Sequence, residues 1–112
     1  MTKYRVEIGT QAQADITETI NYISQTLQEP RTARRLYRLL KEEIFSLEQM
    51  PERCPFEDDE RLRTLEIRKL LVKSYKILYF VNREQQMVQI VRVVYAGRDI
   101  SWLMEETDFE DL

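Results

Sequence analysis

The sequence predicts an α+β two-layer sandwich, a helical hairpin packed on one face of an antiparallel sheet in the order β-α-α-β-β-β. Three observations predict it: an alternating segment opens the chain, two stretches with helical apolar spacing come next, and three β-like runs with short separators come last. At 112 residues and 43% hydrophobic, the chain is one domain with enough apolar side chains for a core.

The first strand is "KYRVEI", where Tyr4, Val6 and Ile8 share one face and Lys3, Arg5 and Glu7 the other. Thr10, with Gln13 three positions on, reads as a capping box for a first helix. Ile16, Ile20, Ile23 and Leu27 form its apolar stripe, and it is expected to run to about Gln28. Pro30 suits the first turn of a second helix. There Ala33, Leu36, Tyr37, Leu40, Ile44 and Leu47 make the core stripe, up to Met50-Pro51. A join of two or three residues makes the pair an antiparallel hairpin. Residues 51–62 read as a polar, proline-marked loop.

"TLEIRKLLV", "YKILYFV" and "MVQIVRVVY" then form an antiparallel meander, because "KS" and "NREQQ" leave room only for turns. The hairpin stripes are expected to pack against Ile67, Ile77, Val91 or their strand neighbours. The other sheet face is then left to water or a partner. "RDISWLM" reads as a closing turn. The expected organisation is a single domain over 1–104 and an acidic, mobile tail over 105–112.

Composition excludes several chemistries. There is no histidine, so Ser-His and Cys-His nucleophiles are absent in their usual forms. One cysteine, Cys54, permits no internal disulfide and fits a reducing cytoplasm. With no histidine beside it there is no expected metal site, and the two glycines, Gly9 and Gly97, make no phosphate-cradling loop. No cofactor is expected. No apolar run approaches a membrane span, and the N-terminal segment does not read as a signal peptide.

The net charge of −3 conceals a segregation. Between Arg61 and Arg98 stand nine basic residues and only Glu66 and Glu84 as acids, a local charge of +7. Acidic blocks, "FEDDE" and the tail, flank it. This implies an anionic partner, or an acidic tail screening its own basic face. Arg68, Lys69, Lys73 and Lys76 are either solvating cations of an open sheet face or a functional cluster. Arg92, inside "IVRVV", needs a partner and is expected to pair with Glu66 or Asp99, or to open onto the free face. Tyr75, Tyr79 and Tyr95 read first as strand aromatics. On the second helix Arg31, Arg34, Arg35, Arg38 and Lys41 fall within one ~120° wedge opposite the core stripe. That wedge is a solvated face or a docking surface for an acidic segment.

The most specific stretch is "IRKLLVKSYKILYFVNREQQMVQIVRVVYAGRD". A basic-apolar strand with Arg68-Lys69 leads to a strand with Tyr75 and Tyr79, a polar turn, and an apolar strand closing on Gly97-Arg98-Asp99. With the helical hairpin before it, this ordered pattern resembles the RelE/ParE superfamily of toxins from bacterial type II toxin–antitoxin modules, over roughly residues 3–104. The resemblance implies a toxin that arrests growth in the cytoplasm and is silenced by a cognate antitoxin. It implies one of two targets. RelE-like members resemble ribosome-dependent mRNA endoribonucleases. For that metal-independent chemistry Arg98, with Arg68, Lys69 and Lys73, would supply the cations and base. ParE-like members resemble non-enzymatic DNA gyrase poisons. Apart from catalysis, the candidate binding residues are Arg31, Arg34, Arg35, Arg38 and Lys41 on the second helix, as a docking surface for an acidic antitoxin segment, with Arg92 and Tyr95. RelE-like enzymes carry a tyrosine shortly after the matched arginine. Here Met104 stands six positions after Arg98, and no tyrosine occurs beyond Tyr95. With a sequence pI of about 5.1, this favours the ParE-like reading. A third reading is a non-toxic binding module of the same fold.

Overall fold

The computed structural model describes residues 3–110 and 112. Strand β1 (Arg5–Ile8) leads into helix α1 (Thr10–Asn21), a wider π turn over Tyr22–Thr26, and helix α2 (Pro30–Phe45). A short helix α3 (Glu60–Thr64) precedes the meander β2 (Arg68–Val72), β3 (Tyr75–Asn82) and β4 (Met87–Tyr95), and helix α4 (Leu103–Glu106) comes after it. The sheet order is β1-β4-β3-β2. The meander is antiparallel as expected, but β1 pairs with β4 in parallel, so the sheet is mixed. The helical hairpin carries the chain from one sheet edge to the other. Two reversals within the meander then bring β4 back beside β1, pointing the same way.

Local chemistry explains most element ends. Gly9, not Thr10, is the N-cap of α1, and no side-chain capping bond forms. A Cβ at Gly9 would lie 2.9 Å from the Ile90 carbonyl oxygen, so the strand-to-helix corner requires glycine. The π turn inserts extra backbone and rotates the residues beyond it, which takes Leu27 out of the apolar stripe and leaves it exposed. Gln28 then turns the chain with φ 55°. Helix α3 begins in the stretch read as a loop and runs on to Thr64, so the first strand of the meander starts only at Arg68, not at Thr64 as the run "TLEIRKLLV" suggested. Asp59 caps it by accepting from the Arg61 and Leu62 amides.

The main core joins Ala12, Ile16, Leu40, Ile44 and Leu47 of the helical layer to Val72, Ile77, Tyr79, Val88, Ile90 and Val93 of the sheet. Tyr37, expected in the stripe, is 41% exposed. Leu40 is fully buried. Leu40→Ala is therefore expected to cost roughly 2–5 kcal/mol of unfolding free energy through lost burial and the cavity left behind. Denaturant melts of the variant check this, and a loss below ~1 kcal/mol would contradict the packing.

The second sheet face, expected to be open, is covered. Leu62, Ile67, Leu78, Val91, Val94 and Leu103 form a second buried cluster, with Phe80, Trp102, Phe109 and Leu112 packed against it. A β-bulge explains part of the difference. Leu78 pairs with Arg92 and Tyr79 with Ile90, so Val91 is the extra residue and turns to the second face. Ile67 also packs there, not under the hairpin. Beyond Leu103, the Gln11 side chain donates to the Glu106 carbonyl at 2.6 Å and accepts from the Asp108 amide at 2.8 Å, which sets the acidic segment against α1.

Candidate functional surfaces

The cation-rich segment is mostly neutralised from within. Of its nine basic residues, seven are in ion pairs: Arg61 with Asp59, Arg63 and Lys69 with Asp58, Arg68 and Arg83 with Glu52, Lys76 with Glu57, and Arg92 with Asp15. Arg68 also donates to the Glu52 and Cys54 carbonyls at 3.1 and 2.6 Å and stacks on Phe56 at 4.2 Å. It anchors the 52–56 loop to β2. Lys69 reaches Asp58 at 3.0 Å. Hydrogen bonds to these cations hold the carboxyls below their ordinary range: Arg83 acts on Glu52, Lys69 on Asp58 and Arg61 on Asp59.

Two pairs are deeply placed: one ties β4 to α1, the other ties β3 to the loop before α3. The Arg92 guanidinium makes a two-pronged contact with the Asp15 carboxylate at 2.7 and 2.8 Å and donates to Thr107 Oγ1 at 3.1 Å. Asp15 also accepts from the Val93 amide at 2.9 Å. The hydrogen bonds to Asp15 raise the Arg92 pKa further, so it stays charged. The expected partners, Glu66 or Asp99, are replaced by a residue on α1. The sequence signal for Asp15 is its place three residues after the buried Ala12 and one before the buried Ile16. Lys76 Nζ lies 2.9 Å from Glu57 Oε2, and both residues are buried. That oxygen makes no directed hydrogen bond, so the contact is one of charge.

Among the described residues, Lys73 and Arg98 are the cations of this segment outside any ion pair. Both lie at one end of the sheet. Lys73 opens the β2–β3 turn with φ 55°. Arg98 stacks on the Trp102 ring at 4.4 Å. Tyr95 opposes Tyr75 edge-to-face, with ring centroids 5.8 Å apart. Burial raises the Tyr75 pKa, and burial raises that of Tyr79 above the ordinary phenol range. Tyr79 donates to the Pro51 carbonyl at 2.6 Å in the core, a structural placement. The four cations suggested for ribonuclease chemistry therefore do not converge. Arg68 stands opposite Tyr79, whereas Lys73 and Arg98 flank the end where Tyr75 meets Tyr95.

A second cationic surface lies on α2. Arg31, Arg34, Arg35 and Arg38 are exposed, and among the described residues none of them is in an ion pair. Lys41 Nζ sits 5.7 Å from the Tyr37 ring centroid and 5.6 Å from that of Phe45, itself 40% exposed. Arg34, Tyr37, Arg38, Lys41 and Phe45 keep helical spacing, so cations and rings alternate along one stripe. Among the described residues no group of acidic or cysteine side chains is arranged to hold a metal ion, and no helix is long and apolar enough to cross a membrane.

The family model for the ParE toxin of the type II toxin–antitoxin system parDE matches residues 6–100. The chain belongs to the ParE toxin family. Its fold is shared by solved structures of low identity. A chain of the chromosomal ParDE toxin–antitoxin system from P. aeruginosa superposes with a TM-score of 0.70 at 16% identity, covering 87% of this chain and 100% of that one. A chain of the RelBE2 toxin–antitoxin complex from Mycobacterium tuberculosis gives 0.59 at 22%, covering 83% and 98%. A free E. coli RelE mutant gives 0.58 at 18%, covering 93% of each chain. No curated protein sequence matches. The ParE-family match takes in α1, α2 and α3, the strands β2, β3 and β4 and all but the first residue of β1, including the α2 stripe and the sheet end at Tyr95.

Proposed function

We propose that this ParE-family toxin arrests growth in the cytoplasm by binding DNA gyrase, without cutting RNA, and that an acidic segment of its antitoxin silences it along α2. The observation that supports binding over cleavage is the dispersal of the cations. Arg68 and Lys69 are held by Glu52 and Asp58, and Arg98 lies apart from them on Trp102. A metal-free ribonuclease needs its base and charge-stabilising cations around one phosphate. The α2 stripe supports the antitoxin contact: five cations on one face repel a second copy of themselves and attract carboxylates, while Tyr37 and Phe45 offer apolar anchorage. The structure of the P. aeruginosa ParDE system gives the kind of assembly expected, a toxin with its own antitoxin.

The purified protein is expected to inhibit gyrase supercoiling and to leave mRNA on translating ribosomes intact. Codon-position-specific cleavage of that mRNA, with supercoiling untouched, would overturn the proposal in favour of the RelE-like endoribonuclease. Absence of both activities would overturn it in favour of a non-toxic binding module. Changing Arg34, Arg35 and Arg38 to Glu is expected to slow antitoxin association by about tenfold or more at low salt, with a smaller effect at high salt. An unchanged rate at low salt would show that the face is merely solvated.

A further inference from the structure

We infer that copies of this chain associate head to tail, the acidic segment after Leu103 of one copy lying on the cationic stripe of α2 of the next. This goes beyond the gyrase and antitoxin contacts: it uses the α2 face but needs no second kind of protein. One half of the contact is the α2 wedge. Arg31, Arg34, Arg35 and Arg38 are exposed, with Lys41 half-buried beside them. At 100° per residue Glu42 is the acid on the same face. Five cations less that one acid leave a surplus of four positive charges. The other half is the acidic segment. Glu105, Glu106, Asp108 and Glu110 are exposed, and among the described residues none of them is in an ion pair. Arg98 shares a cleft with Glu18 and Glu106 but is stacked on Trp102, so it offsets this patch without cancelling it.

The acidic segment is held where it cannot serve its own α2. The Gln11 side chain grips the Glu106 carbonyl and the Asp108 amide. Phe109 and Leu112 pack on the second cluster, on the sheet face opposite the hairpin. The carboxylates are thus presented in a fixed row, which lowers the ordering cost of binding. The lengths correspond: Arg31 to Lys41 spans about 15 Å of helix, and Glu105 to Glu110 spans roughly 10–15 Å of mostly extended chain. A symmetric contact would set α2 on α2 or acid on acid, like charge on like. A head-to-tail contact sets unlike surfaces together. It leaves one free α2 and one free acidic segment at the ends of each assembly, so copies add without closing. Tyr37 and Phe45, exposed among the cations, add apolar cover.

The test is sedimentation velocity of the protein alone over a concentration series, so its outcome is independent of the antitoxin proposal. Exposed ion pairs are individually weak, so growth is expected only above roughly 0.1 mM. At about 20 mM salt the weight-average sedimentation coefficient should rise steadily past the dimer value, and at about 0.5 M salt the protein should be a monomer. Arg34→Glu with Arg35→Glu and Arg38→Glu should weaken association by about tenfold or more, and so should Glu105→Lys with Glu106→Lys and Glu110→Lys. An equimolar mixture of the two variants should associate again, because each supplies the surface that the other has reversed. A monomer at every concentration in low salt would overturn the proposal. So would a closed two-fold dimer, growth that persists in high salt or in either variant, or a mixture that stays monomeric while both variants melt like the wild type. If a triple variant melts early, the salt dependence of the wild type decides.

Discussion

Asp15→Ala is expected to destabilise the protein by about 3–5 kcal/mol, because it strands the Arg92 guanidinium in a largely buried site. Asp15 accepts from Arg92 twice and from the Val93 amide once, at 2.7–2.9 Å. Thr107 Oγ1, at 3.1 Å, is a neutral acceptor and cannot replace the carboxylate. For a domain of marginal stability this is a large share of the total, and a fall in Tm of more than about 10 °C is expected. The double variant Asp15→Ala with Arg92→Leu separates charge from packing. It should recover at least half of the loss, since a buried pair replaced by apolar side chains is often neutral. A single-variant cost under ~1 kcal/mol would mean that Arg92 reaches water. No recovery in the double variant would assign the loss to the Val93 amide and to packing.

Lys76→Met should have an effect of similar size, about 3–5 kcal/mol, for the mirror-image reason. Methionine keeps the length and much of the apolar volume of the lysine stem, but leaves the buried Glu57 carboxylate facing no cation. Glu57 Oε1 still accepts from the Asp58 amide at 3.0 Å, whereas Oε2 has only the Lys76 ammonium at 2.9 Å. Adding Glu57→Gln should restore most of the stability. Urea melts of the single and double variants give the two differences. Equal stability of Lys76→Met and the wild type would show that solvent reaches Glu57. By contrast, exposed pairs such as Lys3 with Glu48 and Arg5 with Glu7 should each be worth at most about 1 kcal/mol.

The hairpin and the meander were legible because each repeats a short-range period. Ile16, Leu40, Ile44 and Leu47 sit in the core where helical spacing placed them. The strand boundaries came from turns too short for anything but hairpins. The second core was harder to read. It collects Leu62, Ile67 and Leu103 from three separate segments, and no local period links them. Val91 joined it only through the bulge between β3 and β4, which a strict alternation cannot anticipate. Tyr37 left the core stripe because the hairpin buries a narrower arc of α2 than its apolar residues occupy.

For the candidate surfaces, the residue types by themselves could not say which cations were available. They showed a charge of +7 between Arg61 and Arg98, and they showed the acidic blocks beside it. Whether a carboxylate cancels a cation depends on contact within a few ångströms, and the decisive partners lie far apart in sequence: Asp15 with Arg92, and Glu52 with Arg83. The sequence alone therefore determined the α+β class, the helical stripes, the cationic wedge on α2 and the absence of any chemistry that needs histidine. Only the tertiary structure decided that Arg68, Lys69, Lys76 and Arg92 are structural partners, and that among the described residues Lys73 and Arg98 stand outside any ion pair. Periodicity is written along the chain, but charge neutralisation is a property of distance, and folding sets distance.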